Sequence, residues 1–287
     1  MVAFETPRPI DATVAVQIGS VHVIASARVD TTVVVNPTDP AKGLDVEAAE
    51  KTEVELTGGN RLNVKAPHPR GVFGAVLGRY GSVDVTIELP EGSAVEISNG
   101  FGDIRVDGRL AETRLKSGAG EIQVDETDKA DLVSGFGNVS LGTARGDARL
   151  TTTGDLRVGH IEGNAVLKTS NGKVWIEEVD GELRVKSANG DIGIVRARSS
   201  VVARTANGSI GIGEVESGAI SMQTAAGGLR VGVGVGTAAW VDARTKFGRV
   251  HNTLQATDRP GAKDRSVEIS AWTGFGDITV HRATAQD

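Results

Sequence analysis

Val95-Glu-Ile-Ser-Asn-Gly-Phe-Gly102-Asp-Ile-Arg-Val106 is the stretch that decides the fold. Apolar residues alternate before the second glycine (Val95, Ile97) and again after it (Ile104, Val106), as in two short strands joined at a glycine turn. The phrase returns as Gly120-Glu-Ile-Gln-Val124 and Gly137-Asn-Val-Ser-Leu141. It recurs at Gly154, Gly172, Gly190, Gly208, Gly227, Gly248 and Gly276, with most copies 17 or 18 residues apart. Self-similarity at a short fixed period marks a solenoid. The pattern predicts an all-β parallel β-solenoid, a single-stranded β-helix with coils of about 18 residues and two main strands per coil. It leaves the handedness open.

Counted from each glycine, the residues two and four later point inward, as Val174 and Ile176 or Ile192 and Ile194. Those seven and five earlier form a second inward pair, as Leu183 and Val185 or Ile220 and Met222. A third inward point stacks Ile161, Val179, Ala197 and Val215. The glycine is expected where the turn needs positive φ or a close backbone approach. Residues 1–90 are strand-rich but irregularly spaced and carry most of the prolines. They read as early coils and a cap continuous with the solenoid, and residues 91–287 as the regular solenoid with a loop insertion at 254–266.

Rival solenoids fit poorly. A hexapeptide helix places an apolar residue every six positions, whereas here they cluster in two pairs and a point. Calcium-binding nonapeptide coils need a carboxylate that Gly172-Lys173, Gly208-Ser209 and Gly248-Arg249 lack. The asparagine ladder of a leucine-rich frame is absent.

Composition narrows the function classes. The 287 residues carry a net charge of −6, so a nucleic-acid partner is not expected. No cysteine is present, which excludes disulfides and thiolate metal sites. The segment Met1–Pro9 does not read as a secretory signal, and no apolar run approaches the roughly 20 residues needed to span a bilayer. The expectation is a cytoplasmic protein without membrane insertion.

If coils stack, residues 18 apart become vertical neighbours about 4.8 Å apart. The position before each glycine reads Phe101, Ala119, Phe136, Thr153, Asn171, Asn189, Asn207, Ala226, Phe247 and Phe275. Asparagines there can hydrogen-bond up the ladder. The phenylalanines are expected to plug wider ends of the core, the alternative being an exposed stripe for sugar stacking. A charged column pairs Arg196 and Arg198 with acids on both neighbouring rungs: Glu178, Asp180, Glu214 and Glu216.

The candidate interaction surface is a basic row, Lys116, Lys168, Lys186, Arg204 and Arg244, reinforced by Arg114 and Arg184, together with Trp175. The row suits an anionic polymer such as teichoic acid, polyphosphate or a nucleic-acid backbone; alternatively it guards the sheet against lateral stacking. Beside Trp175 the outward positions fall to Gly193 and Gly211, a flat patch able to receive another subunit or simply to accommodate the indole.

No catalytic, cofactor-binding or metal-ligating set emerges. His22, His68, His160, His251 and His281 are scattered. Gly232-Val233-Gly234 is not followed by Lys-Ser/Thr. Glu177 and Glu178 alternate faces and cannot converge as glycosidase carboxylates do.

The phrases Val83-Asp-Val-Thr-Ile-Glu-Leu-Pro-Glu-Gly-Ser93, Val95–Val106, Ser117-Gly-Ala-Gly-Glu-Ile-Gln-Val124 and Thr273-Gly-Phe-Gly-Asp-Ile-Thr-Val280 resemble the bacterial "putative adhesin" family, a β-strand-repeat domain of unknown function. The resemblance covers about residues 10–282 and implies a β-helical body with no established catalytic residues. The expected function is a non-enzymatic scaffold or interaction protein without cofactor, self-associating or holding a protein partner. The alternatives are an adhesin-like binder of an anionic or carbohydrate polymer and, second, a β-helical carbohydrate-active enzyme, a lyase or hydrolase.

Overall fold

The computed structural model describes residues 1–67, 81–255 and 265–283. His68, Pro69, Pro260 and most of the insertion expected at 254–266 lie outside the described residues. The fold is a parallel β-solenoid, and the chain forms two compact units, Met1–Gly142 and Thr143–Asp287. Among the described residues no helix is long and apolar enough to cross a membrane.

The first unit contains β1 (Val2–Glu5), β2 (Asp11–Ile18), β3 (Val21–Ser26), β4 (Asp30–Pro37), α1 (Gly43–Glu50), β5 (Glu53–Thr57), β6 (Arg61–Lys65), β7 (Val83–Pro90), β8 (Ala94–Phe101), β9 (Ile104–Ala119) and β10 (Ile122–Phe136). β11 (Val139–Ala144) begins in this unit and runs two residues past its last residue, Gly142. One face stacks β6, β2, β8 and the second half of β9 in parallel, continued by β10. The other stacks β7, β3 and the first half of β9. Chain order and stacking order therefore differ: β2–β3 lies between β6–β7 and β8–β9. Antiparallel strands cover the outer edges, β5 on β6, β4 on β7 and β1 on β4. The helix, not foreseen from the repeat, buries Ala48, and its Asp45 carboxylate accepts the N–H groups of Ser82 and Asp39.

The second unit contains β12 (Ala148–Thr152), β13 (Leu156–Ile161), β14 (Ala165–Thr169), β15 (Val174–Val179), β16 (Leu183–Lys186), β17 (Ile192–Ala197), β18 (Val201–Asn207), β19 (Ile210–Val215), β20 (Gly218–Ala226), β21 (Leu229–Val233), β22 (Thr237–Phe247), β23 (Val250–Asn252), β24 (Arg265–Phe275) and β25 (Ile278–Arg282). Every pair is parallel. One face stacks β12, β14, β16, β18, β20, β24 and β22 in that order. The other stacks β13, β15, β17, β19, β21, β25 and β23. Here too the order departs from the sequence. The glycine of the closing phrase, Gly276, sits on Gly227, and Gly248 lies beyond it: a Cβ on Gly276 would fall 2.2 Å from the Gly227 carbonyl oxygen, and one on Gly248 2.0 Å from that of Gly276. The expected sequence of rungs 227, 248, 276 is corrected to 227, 276, 248.

The inward columns are buried as the spacing requires, including Ile104, Val174, Ile192, Ile194, Ile210 and Met222. Most turn glycines combine both expected demands, while Gly172 shows only the close approach, a Cβ there falling 2.0 Å from the Gly154 carbonyl oxygen. At Gly120, φ is +151° and a Cβ would lie 2.0 Å from the Gly102 carbonyl oxygen. Two hydrogen-bond ladders hold the glycine corner. A buried Ser or Thr three residues before the glycine donates to the glycine carbonyl one rung away: Ser134 to Gly120 (2.8 Å), Thr224 to Gly208 (2.9 Å) and Thr273 to Gly227 (2.9 Å). The Asp after the glycine accepts the N–H of the next rung, Asp155 from Lys173 and Asp191 from Ser209, each at 2.8 Å. The inward hydroxyls of Ser134, Thr224 and Thr273 are thereby paired.

Candidate binding faces

The charged column of the second unit assembles as expected. Arg196 Nε lies 3.1 Å from Glu214, and Arg198 reaches Glu178 at 2.5 Å, Asp180 at 3.4 Å and Glu216 at 3.7 Å. His160 Nε2 stands 3.1 Å from Asp180. These carboxylates are engaged by guanidinium groups on adjacent rungs. The asparagine ladder also forms: Asn189 donates to Asn171 at 3.1 Å and Asn207 to Asn189 at 2.8 Å.

The phenylalanine column corrects the expectation of a core plug. Phe101 is 63% exposed and Phe136 71%, and Phe247 and Phe275 are exposed as well. The cause is the corner itself: the position before the turn glycine is exposed at Asn171, Asn189 and Asn207 too, where Ser170, Ala188 and Ala206 precede it. Gly118 and Gly135, just before this position on their rungs, mark close backbone approach: a Cβ there would lie 2.5 and 2.4 Å from the Gly100 and Gly118 carbonyl oxygens. The corner turns this side chain outward, where strict alternation would place it inside. Phe247 and Phe275 stack on each other with centroids 4.9 Å apart and planes 11° off parallel.

The basic row divides. Lys168, Lys186 and Arg204 are direct rung neighbours on β14, β16 and β18. Arg149 and Arg184 flank them one column over, each in register with Val166. All five are exposed, and among the described residues none has a carboxylate within ion-pair distance, unlike Arg196 and Arg198 on the same unit. Gln223 and then Trp272 follow Arg204 in that column before Arg244, which is bonded to Asp242 at 2.9 Å. Lys116 belongs to the first unit, between Ser98 and Val133, and Arg114 there is paired with Glu112 and Glu96.

Trp175, 51% exposed, lies on the other face of the second unit. The outward column through it reads Arg157, Trp175, Gly193, Gly211 and Arg230. A Cβ on Gly193 would approach Trp175 Cε3 to 2.6 Å, so the indole rests over that backbone; at Gly211 a Cβ would meet nothing within 4 Å. The result is an open groove rimmed by Asp155, Lys173, Asp191 and Ser209. Arginines stand at both ends, about 19 Å apart over four rung steps. The sequence pointed to Trp175 and its glycines; the arginine pair became visible only once the register aligned residues 157 and 230.

No family model matches the chain, and no curated protein is significantly similar to it. Among solved structures, a protein from Clostridium sporogenes described as a "putative cell adhesion protein" is similar at 11% identity, over 98% of each chain, with a TM-score of 0.20.

Proposed function

We propose that the protein is a non-enzymatic interaction module whose second unit binds an extended anionic polymer along β14, β16 and β18. The observation that carries this reading is the set of five exposed cations, Arg149, Lys168, Arg184, Lys186 and Arg204, without carboxylate partners among the described residues, on a chain of net charge −6. Charges at each rung repeat about every 4.8 Å, a spacing that tracks a polymer of regularly placed phosphates, sulfates or carboxylates. The acids nearest to a catalytic arrangement, Glu178, Asp180, Glu214 and Glu216, are instead held by Arg198 and Arg196 as structural groups. The resemblance to the "putative adhesin" family, which has no established catalytic residues, agrees with a binding role.

The test is retention on immobilised heparin and on polyphosphate. Retention should fall with salt, with a log–log slope reflecting the number of cations engaged. K186E/R204E should lose most of it at unchanged melting temperature. Equal retention of parent and variant would refute the assignment. The groove at Trp175 favours a second reading, stacking of a sugar ring on the indole with an acidic substituent between Arg157 and Arg230. It predicts that W175A weakens binding of a uronic-acid oligosaccharide while leaving polyphosphate retention intact.

A further inference from the structure

The rung that ends the second unit carries a pattern that no binding role explains. Throughout this unit the inward-facing residues direct their N–H groups to the next rung: Ala165 to Glu182, Leu183 to Ser200, Leu229 to Asp277 and Ile278 to Arg249. β22 is the last strand of its stack. By the same geometry Ala239, Val241, Ala243 and Thr245 therefore present their amides and carbonyls to an open edge, and among the described residues no strand pairs with it. The inward side chains Ala239, Val241 and Ala243, buried at equivalent places on earlier rungs, are only half-buried here, and Val250 on β23 is exposed. An unpaired edge over an uncovered apolar interior is a template for another strand. In the first unit, by contrast, antiparallel strands cover the outer edges of β6 and β7.

We infer that this edge is a homodimer interface, in which β22 pairs antiparallel with β22 of a second copy about a two-fold axis through Ala243. The outward residues select the occupant and the register. They read Trp240, Asp242, Arg244 and Lys246. Centred on Ala243, the pairing sets Asp242 opposite Arg244 twice and Trp240 opposite Lys246 twice, giving two ion pairs and two cation–ring contacts. Centring on Asp242 or Arg244 instead places like charges face to face, and centring on Thr245 sets Arg244 against Lys246. Backbone parity agrees. Ala243 pairs with its own copy and Val241 with Thr245 through the free amides, while Asp242 and Arg244 fall at the non-hydrogen-bonded sites where side chains come closest. A two-fold operation closes the contact, so association stops at two copies. The inference is independent of polymer binding, because none of the five unpartnered cations lies on β22.

Sedimentation equilibrium of the full chain tests it. The mass should rise with concentration from 29.7 kDa to twice that value and no further. D242R sets arginine against arginine and should weaken association roughly tenfold or more, and D242R/R244D should restore it by exchanging the charges across the axis. A243P removes the central donor while a free-edge amide tolerates proline; it should abolish the dimer with an unchanged far-UV spectrum. A parent that is monomeric at every concentration would overturn the inference. So would association indifferent to D242R, or a charge-exchanged variant no better than D242R alone.

Discussion

Alanine at Gly208 and alanine at Gly211, three residues apart on one rung, should move stability in opposite directions. Gly208 has φ +145°, and a Cβ there would lie 2.3 Å from the Gly190 carbonyl oxygen and 2.6 Å from its carbon. An L-residue in that backbone region costs about 1–3 kcal/mol. Forcing apart two rungs whose backbones already touch adds a similar ~1–3 kcal/mol. A loss of about 3 kcal/mol is therefore a low expectation. At ~2.1 cal/mol/K of unfolding entropy per residue it lowers the melting temperature by about 5 °C if the whole chain unfolds together, and by about 10 °C if the second unit unfolds alone. Gly211 has a negative or extended φ and empty space where the Cβ would go. There alanine only restricts the unfolded chain and should add ~0.4–1 kcal/mol, or about 1–3 °C. Differential scanning calorimetry on both variants decides. A G208A protein melting within a degree of the parent, or G211A falling as far as G208A, would show that backbone crowding does not explain the glycine column.

Replacing Thr224 by valine keeps the shape but removes the donor to Gly208 (2.9 Å), leaving a buried carbonyl short of a partner; chemical denaturation should show a loss of about 1–3 kcal/mol. R198A removes one partner from three part-exposed carboxylates, which keep Arg196, His160 and Arg265 nearby, so the cost is limited to ~1 kcal/mol, and the difference from the parent should shrink in roughly 1 M salt. In the first unit the hydrogen bond from Arg28 holds Asp30 below the usual carboxylate range, and Arg28 with Thr32 does the same for Glu88. Burial opposes ionisation of Asp107, but hydrogen bonds to His22 and Arg105 outweigh it and its pKa is also lowered. Folded values below unfolded ones stabilise above the ordinary carboxylate range and lose that contribution as pH falls through the folded values. Melting temperature should hold above about pH 5 and decline below about pH 4, less steeply in R28Q.

The features legible in the sequence were those that every rung repeats. Alternation at fixed distances from the glycine gave the inward columns, identical residues 18 apart gave the asparagine ladder, and opposite charges 18 apart gave the Arg198 network. What escaped depends on where the strand bends. Phe101 and Phe136 sit at a parity that an unbroken strand would bury, and only the corner, which exposes Asn171, Asn189 and Asn207 at the same place, turns them outward. The Ser/Thr ladder was hidden for a related reason. A hydroxyl at an inward position is costly alone, and it becomes favourable only when the rung below offers a glycine carbonyl. That partner is invisible until the register is known. Helix α1 interrupts the strands with eight residues of weak pattern, and its anchor, Asp45 on Ser82, joins positions far apart in the chain.

The rung order at the ends could not be read from the phrases themselves, because Phe247-Gly248 and Phe275-Gly276 fit either place equally well. The physical reason for the exchange lies in what each arrangement leaves unpaired. With β24–β25 between β20–β21 and β22–β23, these strands have partners on both sides, and the exposed edge falls to β22–β23, a segment anchored by chain at both ends. β2–β3 receives the same protection between β6–β7 and β8–β9. The insertion raises the sequence separation of the pairs that form it, so docking of β24 against β20 is a non-local and correspondingly slow step. Its structural consequence is specific: the free edge belongs to β22, whose outward residues alternate ring, acid and bases, and not to β24, whose outward residues, Glu268, Ser270 and Trp272, offer no such self-complementary set.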